Sequence, residues 1–145
     1  MVGRRKRYAL ADTAQQVVGG FLLAGPFVVT EEVWVLASSM RWYHVLATVL
    51  IVGGIGYGAL YKADDERDPD REAEVGGVPV RFLSLMVVSF GSVLVLALAF
   101  GAPSTFAPRV DVAQTFEAMG VLTLKATCVG AIFAVVGAAT ADSVF

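Results

Sequence analysis

Hydrophobic residues fall along this chain in four long blocks, at 17–36, 45–61, 82–100 and 118–139, with polar stretches between them. A helix needs roughly 20 apolar residues to cross about 30 Å of hydrocarbon, and each block comes close to that. With their flanks, the blocks predict spans at 14–37, 44–61, 81–101 and 113–140, with an acidic loop at 62–80. The expected fold is all-α, a polytopic membrane protein with four transmembrane helices in one bundle. Residues 1–145 form a single domain, because no linker is long enough to set off a second one and no fixed-period repeat is present.

The polar exceptions inside the blocks are the first candidates for chemistry. Glu31, Glu32 and Lys125 stand where a bare charge costs roughly 2.5–3.5 kcal/mol on insertion scales. Span one has its midpoint near Phe27, which places the glutamates about 6–8 Å outward at 1.5 Å per residue. Lys125 precedes the midpoint of span four, near Cys128, and lies about 4–5 Å outward. Opposite charges at one level predict that spans one and four are neighbours. Adjacent glutamates point about 100° apart on a helix, so Lys125 serves one of them and the other is protonated or faces water. Thr30 adds a hydroxyl beside them. Thr30, Glu31, Glu32 and Lys125 are therefore a candidate intramembrane ion or proton site. The competing reading is a structural ion pair that sets helix register. Glu117 is expected at the outer mouth of span four.

Small residues mark where the helices should bend and pack. Pro26 has no N–H to give the Leu22 carbonyl, so Gly25-Pro26 predicts a kink in span one. Gly54 and Gly58 form a G-x-x-x-G pair in span two. Ala126, Gly130, Ala134 and Ala138 form a ladder on one face of span four. Two close-packing faces exceed the needs of one bundle and predict a homodimer. Asp111 and Gln114 are read as the capping pair that starts the fourth helix.

Charge sets the expected orientation. The chain is 57% hydrophobic with a formal net charge of −2, but its charges are segregated. Arg4-Arg5-Lys6-Arg7, with Lys62, Arg67, Arg71 and Arg81, lie on one side, against Arg41 and Arg109 on the other. The excess of basic residues on cytoplasmic loops places both termini inside, in a plasma membrane. Trp34, Trp42 and Tyr43 suit the outer interface, and Tyr57 and Tyr61 the inner one. The basic cluster is short and carries no interleaved aromatics, so no nucleic-acid partner is expected. The partners expected are the bilayer and a second copy, with any small ion or solute left unspecified. Two glutamates and a long apolar run argue against span one being a cleaved signal peptide.

Other chemistry finds little support. The single cysteine, Cys128, reads as a packing residue, and the single histidine, His44, as an interfacial one. No paired histidines and no G-x-S-x-G motif are present, so no enzyme, metal or cofactor is expected. The acidic loop lacks the glycine and terminal glutamate of a calcium loop.

Four strings carry a resemblance to a known family. They are Ala11-Asp12-Thr13-Ala14-Gln15-Gln16-Val17-Val18-Gly19-Gly20-Phe21-Leu22-Leu23-Ala24-Gly25-Pro26, Thr30-Glu31-Glu32-Val33-Trp34, Tyr57-Gly58-Ala59-Leu60-Tyr61-Lys62, and Gly137-Ala138-Ala139-Thr140-Ala141-Asp142-Ser143-Val144-Phe145. Together they resemble the short haloarchaeal members of the integral membrane proteins grouped as domain of unknown function 2391. The resemblance implies an archaeal plasma membrane and a high-salt cytoplasm, in which the acidic loop would sit comfortably. It implies no activity and no functional residues. Longer bacterial relatives would make this chain a half-size unit that needs a partner copy. The functional expectation is an ion- or proton-linked transport or channel component with an intramembrane Glu/Lys site. The alternative is a non-catalytic membrane scaffold or assembly subunit.

Overall fold

The computed structural model describes residues 10–62, 67–71 and 73–144. The basic cluster at 4–7 and the loop acids Asp64, Asp65, Glu66 and Glu72 lie outside them. Six α-helices carry the described chain: α1 (Leu10–Val28), α2 (Glu31–Ser39), α3 (Trp42–Tyr57), α4 (Val80–Ala99), α5 (Ala102–Phe106) and α6 (Phe116–Val144). A π-helical turn, Gly58–Lys62, prolongs α3.

Within the 62–80 loop, Pro69–Arg71 forms a 3-10 turn, and β1 (Glu74–Val75) pairs antiparallel with β2 (Val78–Pro79). Gly76 and Gly77 turn this hairpin with positive φ, a conformation that glycine alone adopts without steric cost. A second 3-10 turn, Ala107–Val110, follows α5.

Three helices are each long and apolar enough to cross a membrane: Trp42–Lys62, Val80–Ala99 and Phe116–Val144. The first predicted span is different. Its block is interrupted in sequence only by Thr30-Glu31-Glu32, and there the chain bends by 82° between α1 and α2. Counting the bent pair as one broken span brings the total to four.

The bend also falls elsewhere than expected. α1 continues through Gly25 and Pro26 to Val28, so the kink predicted at Gly25-Pro26 becomes a break one turn later. Pro26 removes only the bond to the Leu22 carbonyl, and just two helical residues follow it before α1 ends. Thr30 ends the helix by taking extended backbone, φ −96° and ψ 140°. Its N–H and its hydroxyl both donate to the Phe27 carbonyl, at 3.1 and 2.7 Å. The Trp34 indole N–H donates to the Val28 carbonyl at 2.9 Å. The break is thus sealed from within, and Trp34 is fully buried against Phe106, which it stacks on at 5.5 Å.

α6 is the hub of the bundle, packing on α1, α2, α3 and α4. Its inward row advances in steps of four residues: Ala126, Gly130, Ala134, Ala138 and Asp142, all buried. α1 shows the same step through Gln16, Gly20, Ala24 and Val28, and α4 through Arg81, Leu85, Ser89, Val93 and Ala97, again all buried. Four residues overshoot a full turn by about 40°, so each row is an inclined ridge along which a neighbouring helix can lie. α1 and α6 meet most closely at Gly19 and Gly137, where a Cβ on either would collide with the other's backbone. Gly20 faces Ser92 and Val88, and Gly130 receives Val93.

The start of α6 also departs from expectation. The helix begins at Phe116, and its cap is Thr115, whose Oγ1 accepts the Ala118 N–H at 3.1 Å. Asp111 instead holds a left-handed turn, φ 56°, at the end of the preceding 3-10 segment. α1 starts and α6 ends at the same end of the bundle, since Asp12 and Asp142 both contact Arg81.

Candidate functional site

The charges predicted to meet inside the bilayer are held apart by α2. Glu31 and Glu32 occupy its first turn, and both are exposed. Lys125 reaches the opposite end, where its Nζ donates to the carbonyl of Met40, the C-cap residue, at 2.7 Å. At 1.5 Å per residue the 9-residue helix keeps the two ends roughly 13 Å apart. The sign at each end is the favourable one, acids at the N-terminal N–H groups and a cation at the C-terminal carbonyls. Glu31 Oε2 instead lies 3.6 Å from Arg109 Nη1, with the two side chains 46% and 58% exposed. A pair that open to solvent is a weak contributor to stability. Thr30 has committed its hydroxyl to Phe27. So Thr30, Glu31, Glu32 and Lys125 all border one short helix, and the expected Glu–Lys pair does not form.

The packing residues divide in a similar way. Ala126, Gly130, Ala134 and Ala138 are buried inside the bundle. Among the described residues, beyond their own stretch of helix, nothing stands within 4 Å of where a Cβ on Gly54 or Gly58 would be. Gly56, between them, faces Met86, Leu85 and Val135 instead. The α3 residues Leu46, Val49, Leu50 and Ile51 are exposed as well, leaving α3 the most peripheral of the long helices.

At the other end of the bundle lies a buried polar cluster. Arg81, in the first turn of α4, sends Nη1 to Asp142 Oδ1 at 2.6 Å and Nη2 to Asp12 Oδ2 at 3.3 Å. The Asp142 side chain is 0% exposed and that of Arg81 8%. Gln16 Nε2 donates to Asp142 Oδ2 at 3.1 Å and to the Arg81 carbonyl at 3.4 Å. Gln16 Oε1 accepts from the Ser84 hydroxyl at 2.7 Å, and Ser84 in turn meets Thr13 Oγ1 at 3.1 Å. Because Ser84 has a single proton and gives it to Gln16, Thr13 is the donor in that last contact. From the loop, Arg67 Nη2 donates to the Asp142 carbonyl at 3.4 Å, with Nη1 3.7 Å from Oδ2.

Among the described residues, two carboxylates face two guanidinium groups. An ion buried without compensation would cost several kcal/mol, and dense hydrogen bonding of this kind is what makes burial tolerable. The cluster joins α1, α4, α6 and the 62–80 loop.

This cluster is not among the candidate sites that the sequence suggests, although a signal for it exists. One more four-residue step beyond Ala138 lands on Asp142, and one step before Gln16 lands on Asp12. In the sequence, Arg67 and Arg81 stand out only as markers of orientation. The first and last of the strings that carry the family resemblance meet here, through Asp12, Thr13, Gln16 and Asp142.

Near Lys125 an open groove of about 420 Å³ runs between α3 and α6, lined by Trp42, Val45, Val121, Leu124, Lys125 and Cys128. His44 lies beside it in sequence as a cap, its Nδ1 accepting the Arg41 backbone N–H at 3.0 Å. Among the described residues no group of three or more His, Cys, Asp or Glu side chains is placed to hold a metal.

The comparisons with known proteins agree with this membrane architecture at the level of family. A family model described as "Putative integral membrane protein (DUF2391)" matches residues 3–141. Neither a curated protein nor a solved structure matches the chain. With nearly its whole length covered by that model, the chain belongs to the DUF2391 family of integral membrane proteins.

Proposed function

We propose that this chain is a non-catalytic assembly subunit of the membrane, acting by association rather than by carrying a solute. In this reading α1, α3, α4 and α6 are the four spans, and α2 lies along the outer interface. Lys125 and Asp142 then lie toward opposite faces of the membrane, about 25 Å apart along α6. Both termini are cytoplasmic, as the basic residues at 4–7, Lys62, Arg67 and Arg81 favour.

The observation that carries the reading is how the small residues are used. Gly19, Gly20, Gly130 and Gly137 are consumed by contacts within the bundle, whereas Gly54 and Gly58 face open space on the least covered long helix. In lipid, close approach of backbones at small residues is a main source of helix association. The charges support it too, because Lys125 and Arg81 are engaged by groups of the same fold. A second copy of the chain is the favoured occupant of the α3 face.

Cysteine cross-linking in native membranes tests this, with Cys128→Ala as background. Gly54→Cys should form a disulfide-linked dimer, and Val87→Cys on the exposed side of α4 should not. Reconstituted liposomes should show no ion or proton flux. A flux abolished by Glu32→Gln or Lys125→Met would overturn this reading in favour of transport.

A further inference from the structure

The groove at Lys125 has a chemistry that the assembly reading does not use. Five of its six lining residues are apolar or weakly polar, and the sixth is a cation. Val121 and Leu124 are 47% and 61% exposed, so the groove opens on the outer surface of the bundle. Trp42, at the first position of α3, is 76% exposed beside it. Amphipathic indoles favour the level of lipid headgroups. Arg41, the neighbouring residue, is exposed too.

An ammonium group has three N–H donors. The Met40 carbonyl takes one of those on Lys125, and no carboxylate of the described residues stands within ion-pair distance of it. A cation at the edge of an apolar groove, with hydrogen-bonding capacity left over and no acidic partner, is complementary to an anion that brings its own hydrocarbon.

We propose that this groove binds an anionic phospholipid, its acyl chain running inward along Val45 and Cys128 and its phosphate on the remaining protons of Lys125. The site sits on the side of α3 turned toward α6, whereas Gly54 and Gly58 lie on the side turned away. Lipid binding and assembly through α3 are therefore separate questions, and either can fail without the other.

Native mass spectrometry of the full chain, released from micelles containing phosphatidylglycerol or phosphatidylcholine, tests the site. Phosphatidylglycerol should be retained with a preference of about fivefold, the scale expected of one basic residue at an anionic surface. Lys125→Met should abolish the preference and Lys125→Arg should keep it. Val45→Trp fills the groove while sparing the ammonium, and should lower retention of both lipids. This variant decides the matter should Lys125→Met fail to fold. Arg109→Gln, at the far end of α2, should leave the preference intact. Equal retention of the two lipids by the unmodified chain would overturn the proposal. So would a preference that survives Lys125→Met, retention untouched by Val45→Trp, or a preference lost equally in Arg109→Gln.

Discussion

Lys125 Nζ lies 2.7 Å from the carbonyl oxygen of Met40, so the lysine of α6 caps α2 instead of neutralising a glutamate. A hydrogen bond from a charged donor contributes about 1.5–3 kcal/mol, and the favourable helix-end charge adds to it. Lys125→Met should therefore destabilise the protein by about 2 kcal/mol on that scale, measured by thermal or denaturant unfolding in detergent. Glu31→Gln should change stability by less than about 1 kcal/mol, as befits a solvent-exposed pair with Arg109. The two changes should add without coupling. Any coupling beyond about 0.5 kcal/mol would reinstate a Glu–Lys interaction.

The cluster around Asp142 should respond far more strongly. Removing one member of a buried charge pair leaves the other uncompensated, typically at about 3–5 kcal/mol. Arg81→Met and Asp142→Leu should each show losses of that order, because Asp142 is fully buried and Arg81 nearly so. The double variant should lose clearly less than the sum, since no orphaned charge remains. Arg67→Gln should be milder, because Arg67 approaches Asp142 only at 3.4–3.7 Å. Simple additivity of the Arg81 and Asp142 losses would show that the two side chains are not partners.

Glycine positions separate bundle packing from the outer face of α3. Gly19 and Gly137 touch backbone to backbone, so Gly137→Ala must push α1 off α6 and should give loss of folded protein on size exclusion. Gly54→Ala meets open space and should leave the monomer fold as stable as before, or slightly more so, since alanine is favoured over glycine in a helix by about 1 kcal/mol. A Gly137→Ala variant as stable as the parent would refute the α1–α6 crossing.

How much of this was legible in the sequence depends on the range of the signal. Apolar runs of bilayer length set α3, α4 and α6 to within a few residues, because hydropathy over such a window outweighs every local preference. The turn at Val29-Thr30 falls inside a bilayer-length block whose strongest breaker, Pro26, stands at a place where α1 tolerates it. The signal that marks it is Thr30-Glu31-Glu32, an N-cap residue followed by first-turn acids. That one turn displaces the Glu31/Glu32 reading. A residue count along a straight helix measures depth only up to the 82° bend, and both glutamates lie beyond it. The Ala126–Ala138 row was legible as a packing face, but its partners, such as Val93, were not. The polar cluster needs three helices to converge from positions 12–16, 81–84 and 142, a long-range arrangement that no local window contains.

The direction of α2 leads to the most discriminating test of topology. If 14–37 were one continuous span, residues 31 and 32 would lie within hydrocarbon and resist water-soluble reagents. With α2 turned 82° from α1 and both glutamates exposed on its first turn, they should lie at the surface. Glu32→Cys in a Cys128→Ala background should therefore react readily with an impermeant maleimide, whereas Ala24→Cys, fully buried in α1, should not. The side on which Glu32→Cys reacts fixes the orientation. Labelling in intact cells places α2 outside, and Asp70→Cys, in the loop at the opposite end, should then react only after permeabilisation. Failure of Glu32→Cys to react in both intact and permeabilised cells would return the glutamates to the membrane interior. Reaction of Asp70→Cys in intact cells would reverse the orientation while leaving the bent helix in place.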